Sequence, residues 1–360
     1  MSSSYLPYLS AQWDKPMPDR PVVAVCGATG AVGREMLLCL EQRNFPAAEL
    51  RALASSRSVG KQLPYGGPGA PASGQLTVEE LTAESFAGVD IALFSAGAAI
   101  SQKFAQAATE AGCVIVDNSS AFRMQDNVPL VVPEVNPEDA FQHQGVIANP
   151  NCSTIQMVVA LAPLHELCPL SRVVVSTYQS SSGAGAKGMT ELEEQTRALQ
   201  AGESYPPRAF AHQIAFNCIP QIDVFLDGGS TKEEWKMVVE TKKILHAPEV
   251  AVQATCVRVP VLRCHSEAVM VEFDASPERP APTLDACRAA LAAYPGIIIC
   301  DDPATQRYPM PAELTGTDKV YVGRLRVDDT VPAGIALWVV ADQLRKGAAL
   351  NTVQIAELLL

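Results

Sequence analysis

The chain has 360 residues, with 27 lysines and arginines against 39 aspartates and glutamates, for a formal net charge of −12. That length implies two domains, because one core seldom extends so far. The acidic balance argues against a general nucleic-acid or membrane-surface binder, although a local pair of arginines still suits an anionic substrate. Ten cysteines are scattered along the chain, several in apolar runs, with no Cys-x-x-Cys pair. Buried thiols in a reducing, cytoplasmic setting are the reading that spacing favours, and a metal site is not expected. No apolar stretch approaches the ~20 residues that cross a bilayer. Residues 1–20 are polar, contain proline and lack the apolar centre of a secretory signal, so they read as a loose extension.

In chain order, Val22 to Val25 reads as a buried strand, followed by a tight loop from Gly27 to Gly33 and a helix from Arg34 to Arg43. Leu50 to Ala54 and Ile91 to Phe94 are further strands, with a helix from Ser101 to Ala111. Val114 to Asp117 and Val146 to Ala148 complete the series. Strands alternating with helices imply an α/β fold, a Rossmann-like doubly wound parallel sheet. The glycine-rich segment Pro64 to Gly74 reads as a surface loop or hairpin region. Beyond position 151 the texture changes. β-rich stretches at Val173–Thr177, Ala251–Val259 and Ala268–Phe273 are interrupted by helical patterns at Met189–Leu199 and Lys232–Leu245. This predicts a mixed α+β second domain over 151–340. The first domain takes 21–150, and a helical tail from 341 to 360 packs back on it.

The first loop carries Gly27-x-x-Gly30-x-x-Gly33, with Thr29, Ala31 and Val32 between the glycines. Glycines there let backbone N–H groups approach a pyrophosphate at a helix N-terminus. Taken alone the glycines also suit a structural turn, but their place between an apolar strand and an amphipathic helix favours a dinucleotide. After the second strand stands Ser55-Ser56-Arg57-Ser58, where an NAD site would place a carboxylate. Arg57 and Ser58 suit a 2′-phosphate, so NADP is the expected cofactor.

Cys152 lies in Asn149-Pro150-Asn151-Cys152-Ser153-Thr154, where a strand gives way to a helix. A thiol at a helix start meets the positive end of the macrodipole and unpaired N–H groups, which favour thiolate. Downstream follow the Ser180–Gly185 loop and His265, whose near-neutral titration suits proton exchange. One regular strand would put Arg258 and His265 on opposite faces, so the chain is expected to bend at Pro260; otherwise Arg263 is the nearest substitute for Arg258.

Together these segments resemble the aspartate-semialdehyde dehydrogenase family over nearly the whole chain. The resemblance rests on the glycine loop, Asp117–Arg123, Asn149–Thr154, Glu233-Glu234-Trp235-Lys236, Glu240–Ile244, Arg258–Val261 and Asp342–Ala349. It implies NADPH-dependent reduction of L-4-aspartyl phosphate to aspartate semialdehyde and phosphate, a step toward lysine, methionine and threonine. It implies Cys152 as nucleophile, through a thioester, and His265 as acid–base catalyst. Gln179 would orient substrate, Arg258 grip its carboxylate and Glu233 its amino group. Arg123, Lys236 and Asn118 would hold phosphate. Ser182, Gly183 and Gln343 would join the glycine loop, Arg57 and Ser58 in contacting cofactor. The second domain would be the dimerisation domain of a homodimer or homotetramer. The competing readings are another acyl-phosphate reductase, such as N-acetyl-glutamyl-phosphate reductase, and a non-catalytic nucleotide-binding paralogue. Glu233 speaks against the first, since an acetylated amine carries no charge to pair, and the retained Cys152 and His265 speak against the second.

Overall fold

The computed structural model describes Leu9, Trp13 and residues 15–360. Contacts divide the chain into two compact units, 1–150 with 348–360, and 151–347.

In the first unit β1 (Val22–Cys26), β2 (Glu49–Ala54), β3 (Gln62–Pro64), β4 (Gln75–Glu80), β5 (Ile91–Phe94), β6 (Val114–Asp117) and β7 (Val146–Ala148) form a seven-stranded sheet in the order β3-β4-β2-β1-β5-β6-β7. All pairs are parallel except β3 with β4. Helices α1 (Ala31–Gln42) and α2 (Ala98–Glu110) make crossovers. β5, β6 and β7 are buried along their whole length. A parallel strand covered on both faces needs such a continuous apolar run. The Pro64–Gly74 segment is the turn of the β3–β4 hairpin, and its Tyr65 is buried with the hydroxyl donating to the Pro68 carbonyl at 3.0 Å.

Of the loose extension expected over 1–20, the described part is tied down. Leu9 is buried, Trp13 packs its ring 5.8 Å from that of His143, and Lys15 pairs with Asp90 at 3.1 Å. Positions 1–8, 10–12 and 14 lie outside the described residues.

The second unit opens with α3 (Cys152–Leu167), followed by β8 (Leu170–Gln179), α4 (Ala186–Gln200), α5 (Lys232–Ile244), β9 (Ala251–Arg258), β10 (His265–Phe273), α6 (Leu284–Ala293), β11 (Ile297–Ile299), α7 (Pro311–Leu314), β12 (Val320–Asp328) and β13 (Gly334–Ala341). Its six strands run β11-β12-β13-β10-β8-β9, mixed in direction. α3 is buried from Ser153 to Leu164 on all sides, as befits a helix at the centre of a core.

The helical tail expected from 341 begins later. Ala341 ends strand β13, paired with His265, and the regular helix α8 runs over Leu350–Leu358. The run Ile335 to Val340 is as apolar as a helix interior, and period alone does not separate the two. α8 gives Leu350, Val353, Ile355 and Ala356 to the core of the first unit.

Candidate active site

In the first unit the chain leaves β1 at Gly27 with φ +91°, and its N–H donates to the Leu53 carbonyl at 2.8 Å. A Cβ at Gly27 would stand 2.7 Å from the Ser95 carbonyl oxygen. One at Gly33 would stand 2.2 Å from the Gly27 carbonyl oxygen, so α1 packs against the loop as only glycine permits. Gly30 caps α1 without a side-chain acceptor, so no capping side chain takes the N–H groups of the first turn that Ala31 and Val32 begin. Thr29 and Ser58 bring their hydroxyls to 3.5 Å, and Arg57 is exposed beside Ser58 in the turn after β2. Arg34, not singled out from sequence, donates to the Thr29 carbonyl at 3.2 Å and adds a second cation to this rim.

At the far end of the same sheet Arg123 is buried, donating from Nε to the Asn149 carbonyl at 2.9 Å and from Nη2 to the Asn118 carbonyl at 3.1 Å. The Asn118 side chain accepts from Asn149 Nδ2 at 2.7 Å. Arg123 and Asn118 therefore form one network.

In the second unit Cys152 is the first residue of α3 and belongs to no disulfide. Asn151 caps the helix: its Oδ1 accepts from Ser153 N at 3.0 Å and Thr154 N at 3.1 Å. Its remaining donors are spent on two carboxylates of α5. Asn151 N donates to Glu240 at 2.6 Å and Nδ2 to Glu233 at 2.9 Å. The backbone that aims the Cys152 side chain is thus held from both ends. Gly347 leaves it room, since a Cβ there would stand 2.9 Å from Cys152 Cβ.

Glu233 and Lys236 meet at 3.1 Å, one helical turn apart. They are not a solvated surface pair, for their side chains are only 7% and 12% exposed. Lys236 also reaches Asp223 at 2.8 Å. Burial pushes the Glu233 carboxyl up, but Lys236, Asn151 and Arg258 outweigh it and hold it below the ordinary range. Burial likewise opposes the Lys236 charge, and Glu233 and Asp223 more than restore it. Gln179 is buried beside them, donating to Glu233 Oε1 and to Thr177 Oγ1, each at 3.3 Å.

The difficulty of Arg258 and His265 lying an odd number of positions apart dissolves. Arg258 ends β9 and His265 begins β10, and the two strands flank β8. Arg258 donates to the Ser180 carbonyl at 2.7 Å. Burial lowers its pKa, partly offset by Glu233 and by the Cys152 thiol. Gly183 is required here, for a Cβ would fall 2.5 Å from Arg258 Nη1 and 3.3 Å from His265 Cε1. Arg263, the substitute considered for Arg258, instead pairs with Asp342 at 2.7 Å.

His265 is fully buried, and Nδ1 accepts the Ser180 N–H at 3.0 Å. In the neutral ring that bond assigns the proton to Nε2. Nε2 is buried with no hydrogen-bond partner among the described residues. Burial first, then the Arg258 charge, holds the pKa well below 6.5, so the ring is neutral. Gln343 links the loops around it, donating to Ser182 Oγ and accepting from Cys264 N at 2.7 Å. Cys264 points away toward Thr315, and burial raises its thiol to about 12, far from a reactive value.

Asn151, Ser180 and Glu240 were not singled out from sequence. Asn151 carried the ordinary signal of a helix cap. Glu240 lies two helical turns after Glu233, on the same face. Ser180 gave no signal within its serine-rich loop.

The chain matches two family models: "Semialdehyde dehydrogenase, NAD binding domain" over residues 22–143 and "Semialdehyde dehydrogenase, dimerisation domain" over residues 161–346. It is 52% identical over 343 residues to the aspartate-semialdehyde dehydrogenase of Aquifex aeolicus, spanning 94% of this chain and 97% of that one. The chain belongs to the aspartate-semialdehyde dehydrogenase family. The Bacillus subtilis aspartate-semialdehyde dehydrogenase is 51% identical over 93% of this chain and 96% of its own length. Among solved structures, aspartate semialdehyde dehydrogenase II from Vibrio cholerae, in complex with ASA, superposes with a TM-score of 0.89 at 48% identity, covering 95% of this chain and 98% of that one. The Candida albicans aspartate semialdehyde dehydrogenase with NADP gives 0.72 at 27% identity, covering 94% and 98%. In this chain the first unit is therefore an NAD(P)-binding domain and the second a dimerisation domain. Among the described residues no helix is long and apolar enough to cross a membrane.

Proposed function

We propose that this chain reduces L-4-aspartyl phosphate with NADPH, giving L-aspartate 4-semialdehyde and phosphate. The observation that carries this reading is Cys152 at the start of a buried helix, its cap tied to Glu233 and Arg258 within electrostatic reach. A nucleophile and two oppositely charged grips in one network suit a substrate with a reactive acyl group, a carboxylate and an amine.

The Cys152 thiolate attacks the acyl carbon, an S–C bond forms and the C–O bond to phosphate breaks. NADPH, when bound, supplies the hydride that reduces the resulting thioester. His265 donates from Nε2–H to the oxygen as negative charge gathers there. Collapse of the tetrahedral centre releases the aldehyde and returns the thiolate. Arg258 holds the α-carboxylate with a guanidinium fork and Glu233 the α-amino group, while Gln179 orients the chain between them. Lys236, Arg123 and Asn118 receive the phosphate.

For the cofactor, Gly27, Gly30 and Gly33 let the loop pack so closely on its own backbone that a Cβ would collide there, and with Thr29, Ala31 and Val32 they would offer backbone N–H groups at the start of α1 to a pyrophosphate. Arg57 and Ser58 would take the 2′-phosphate, and Ser182, Gly183 and Gln343 the nicotinamide end. The working form is a cytoplasmic homodimer or homotetramer.

The test is the phosphate-dependent reverse assay with aspartate semialdehyde, run with NADP and with NAD. Reduction of NADP that requires phosphate supports the reading. Turnover without phosphate, or with N-acetyl-glutamate semialdehyde alone, removes it.

A further inference from the structure

Glu267 is wholly buried in β10, and neither carboxyl oxygen has a hydrogen-bond partner among the described residues. It lies two residues after His265 and so faces the same side of the strand. The groups around it are few. From α3 comes the Gln156 side-chain amide, which faces the carboxyl, and from β9 comes the Cys256 thiol. Its strand neighbours are Thr177 of β8 and Val339 of β13. None of these is a cation.

Gln156 is anchored to the same strand. Its Nε2 donates to the His265 carbonyl at 3.3 Å, which leaves Oε1 directed elsewhere and unpartnered. Turning the amide over would set Oε1 against the His265 carbonyl oxygen, two acceptors in contact. Gln156 Oε1 and both Glu267 carboxyl oxygens are thus buried acceptors without a hydrogen-bond partner among the described residues, and the amide faces the carboxyl. A proton on the carboxyl would give both groups a partner, and an ionised carboxylate with no cation beside it would be costly to bury. Gln156 stands four residues after Cys152, on the same face of α3.

We propose that Glu267 is a positioning residue: as a carboxylic acid it donates its O–H to Gln156 Oε1, and through that amide it fixes the His265 carbonyl against the helix that carries Cys152. The relay joins the strand of the proton donor to the helix of the nucleophile from beneath. Burial, opposed by the Gln156 amide but outweighing it, independently pushes the carboxyl well above 4.5. The proposal rests on the roles given above to Cys152 and His265, but its primary test does not.

That test is the infrared difference spectrum between the parent protein and Glu267→Gln at neutral pH. The parent is expected to show the carbonyl band of a protonated carboxylic acid, and the variant to lack it. Kinetics supply the second arm. Glu267→Leu, which fills the space but cannot donate, is expected to lower kcat tenfold or more with KM within about twofold, and Glu267→Gln, whose amide N–H can donate to Gln156, to restore most of kcat. Absence of the band overturns the protonated relay whatever the activity. A band with equal losses in the Leu and Gln variants, or no loss in either, overturns the positioning role. If Glu267→Leu does not fold, Gln156→Leu takes its place at the other end of the relay and must show the same split.

Discussion

The Cys152 side chain is aimed by the residue before it. Asn151 uses its backbone N–H, its amide N–H and its side-chain oxygen, so the turn that presents Cys152 is over-determined. Replacing Cys152 by Ala should abolish NADPH oxidation while leaving NADPH binding, measured by fluorescence titration, near the parent value. Turnover in that variant would take the residue out of the mechanism. Arg258→Lys should raise KM tenfold or more, because a point charge cannot replace a fork that also donates to the Ser180 carbonyl. A KM equal to the parent's would place the carboxylate grip elsewhere.

At the scale of elements, the sequence was most legible where a single face decided the outcome. The strands Ile91–Phe94, Val114–Asp117 and Val146–Ala148 appear with the bounds their apolar runs suggested. β12 and β13 were not foreseen: Arg324 and Arg326 interrupt the first and the second reads as a continuous apolar run. The site showed the same division. Cys152 stood at a local strand-to-helix junction, and its place at the start of α3 was readable, whereas the cap Asn151 was passed over. The opposition of Arg258 and His265 across β8, and of Gln156 and Glu267, depends on non-local pairing that no spacing along the chain encodes. Two element-level tests follow. Asn151→Ala removes the cap of α3 and one partner of the buried Glu233 carboxylate, while the backbone N–H to Glu240 stays; it should cost about 2 kcal/mol in chemical denaturation with a larger loss in kcat than in KM. Gly33→Ala drives a methyl into the Gly27 carbonyl; it should cost about 1–3 kcal/mol and weaken NADPH binding, with little effect on alkylation of Cys152.

For the molecule as a whole, two buried groups pull stability in opposite directions with pH. The His265 pKa lies well below 6.5 in the folded chain, so the unfolded chain binds the extra proton. Its contribution is complete above about pH 6.5 and is lost as pH falls toward the folded value. The Glu267 pKa lies well above 4.5, so its contribution is complete below about pH 4.5 and is lost as pH rises toward the folded value. Glu267→Gln abolishes the second effect only. Its melting temperature should therefore gain on the parent's steadily between about pH 5 and 8; a constant difference across that range would mean that Glu267 is ionised in the native state. Covalent capture of the acyl group at the start of α3 is open to mass spectrometry of protein incubated with L-4-aspartyl phosphate in the absence of NADPH. An aspartyl adduct on the peptide bearing Cys152, discharged on adding NADPH, is the predicted result. An adduct on another cysteine, or turnover with Cys152 never modified, would contradict it.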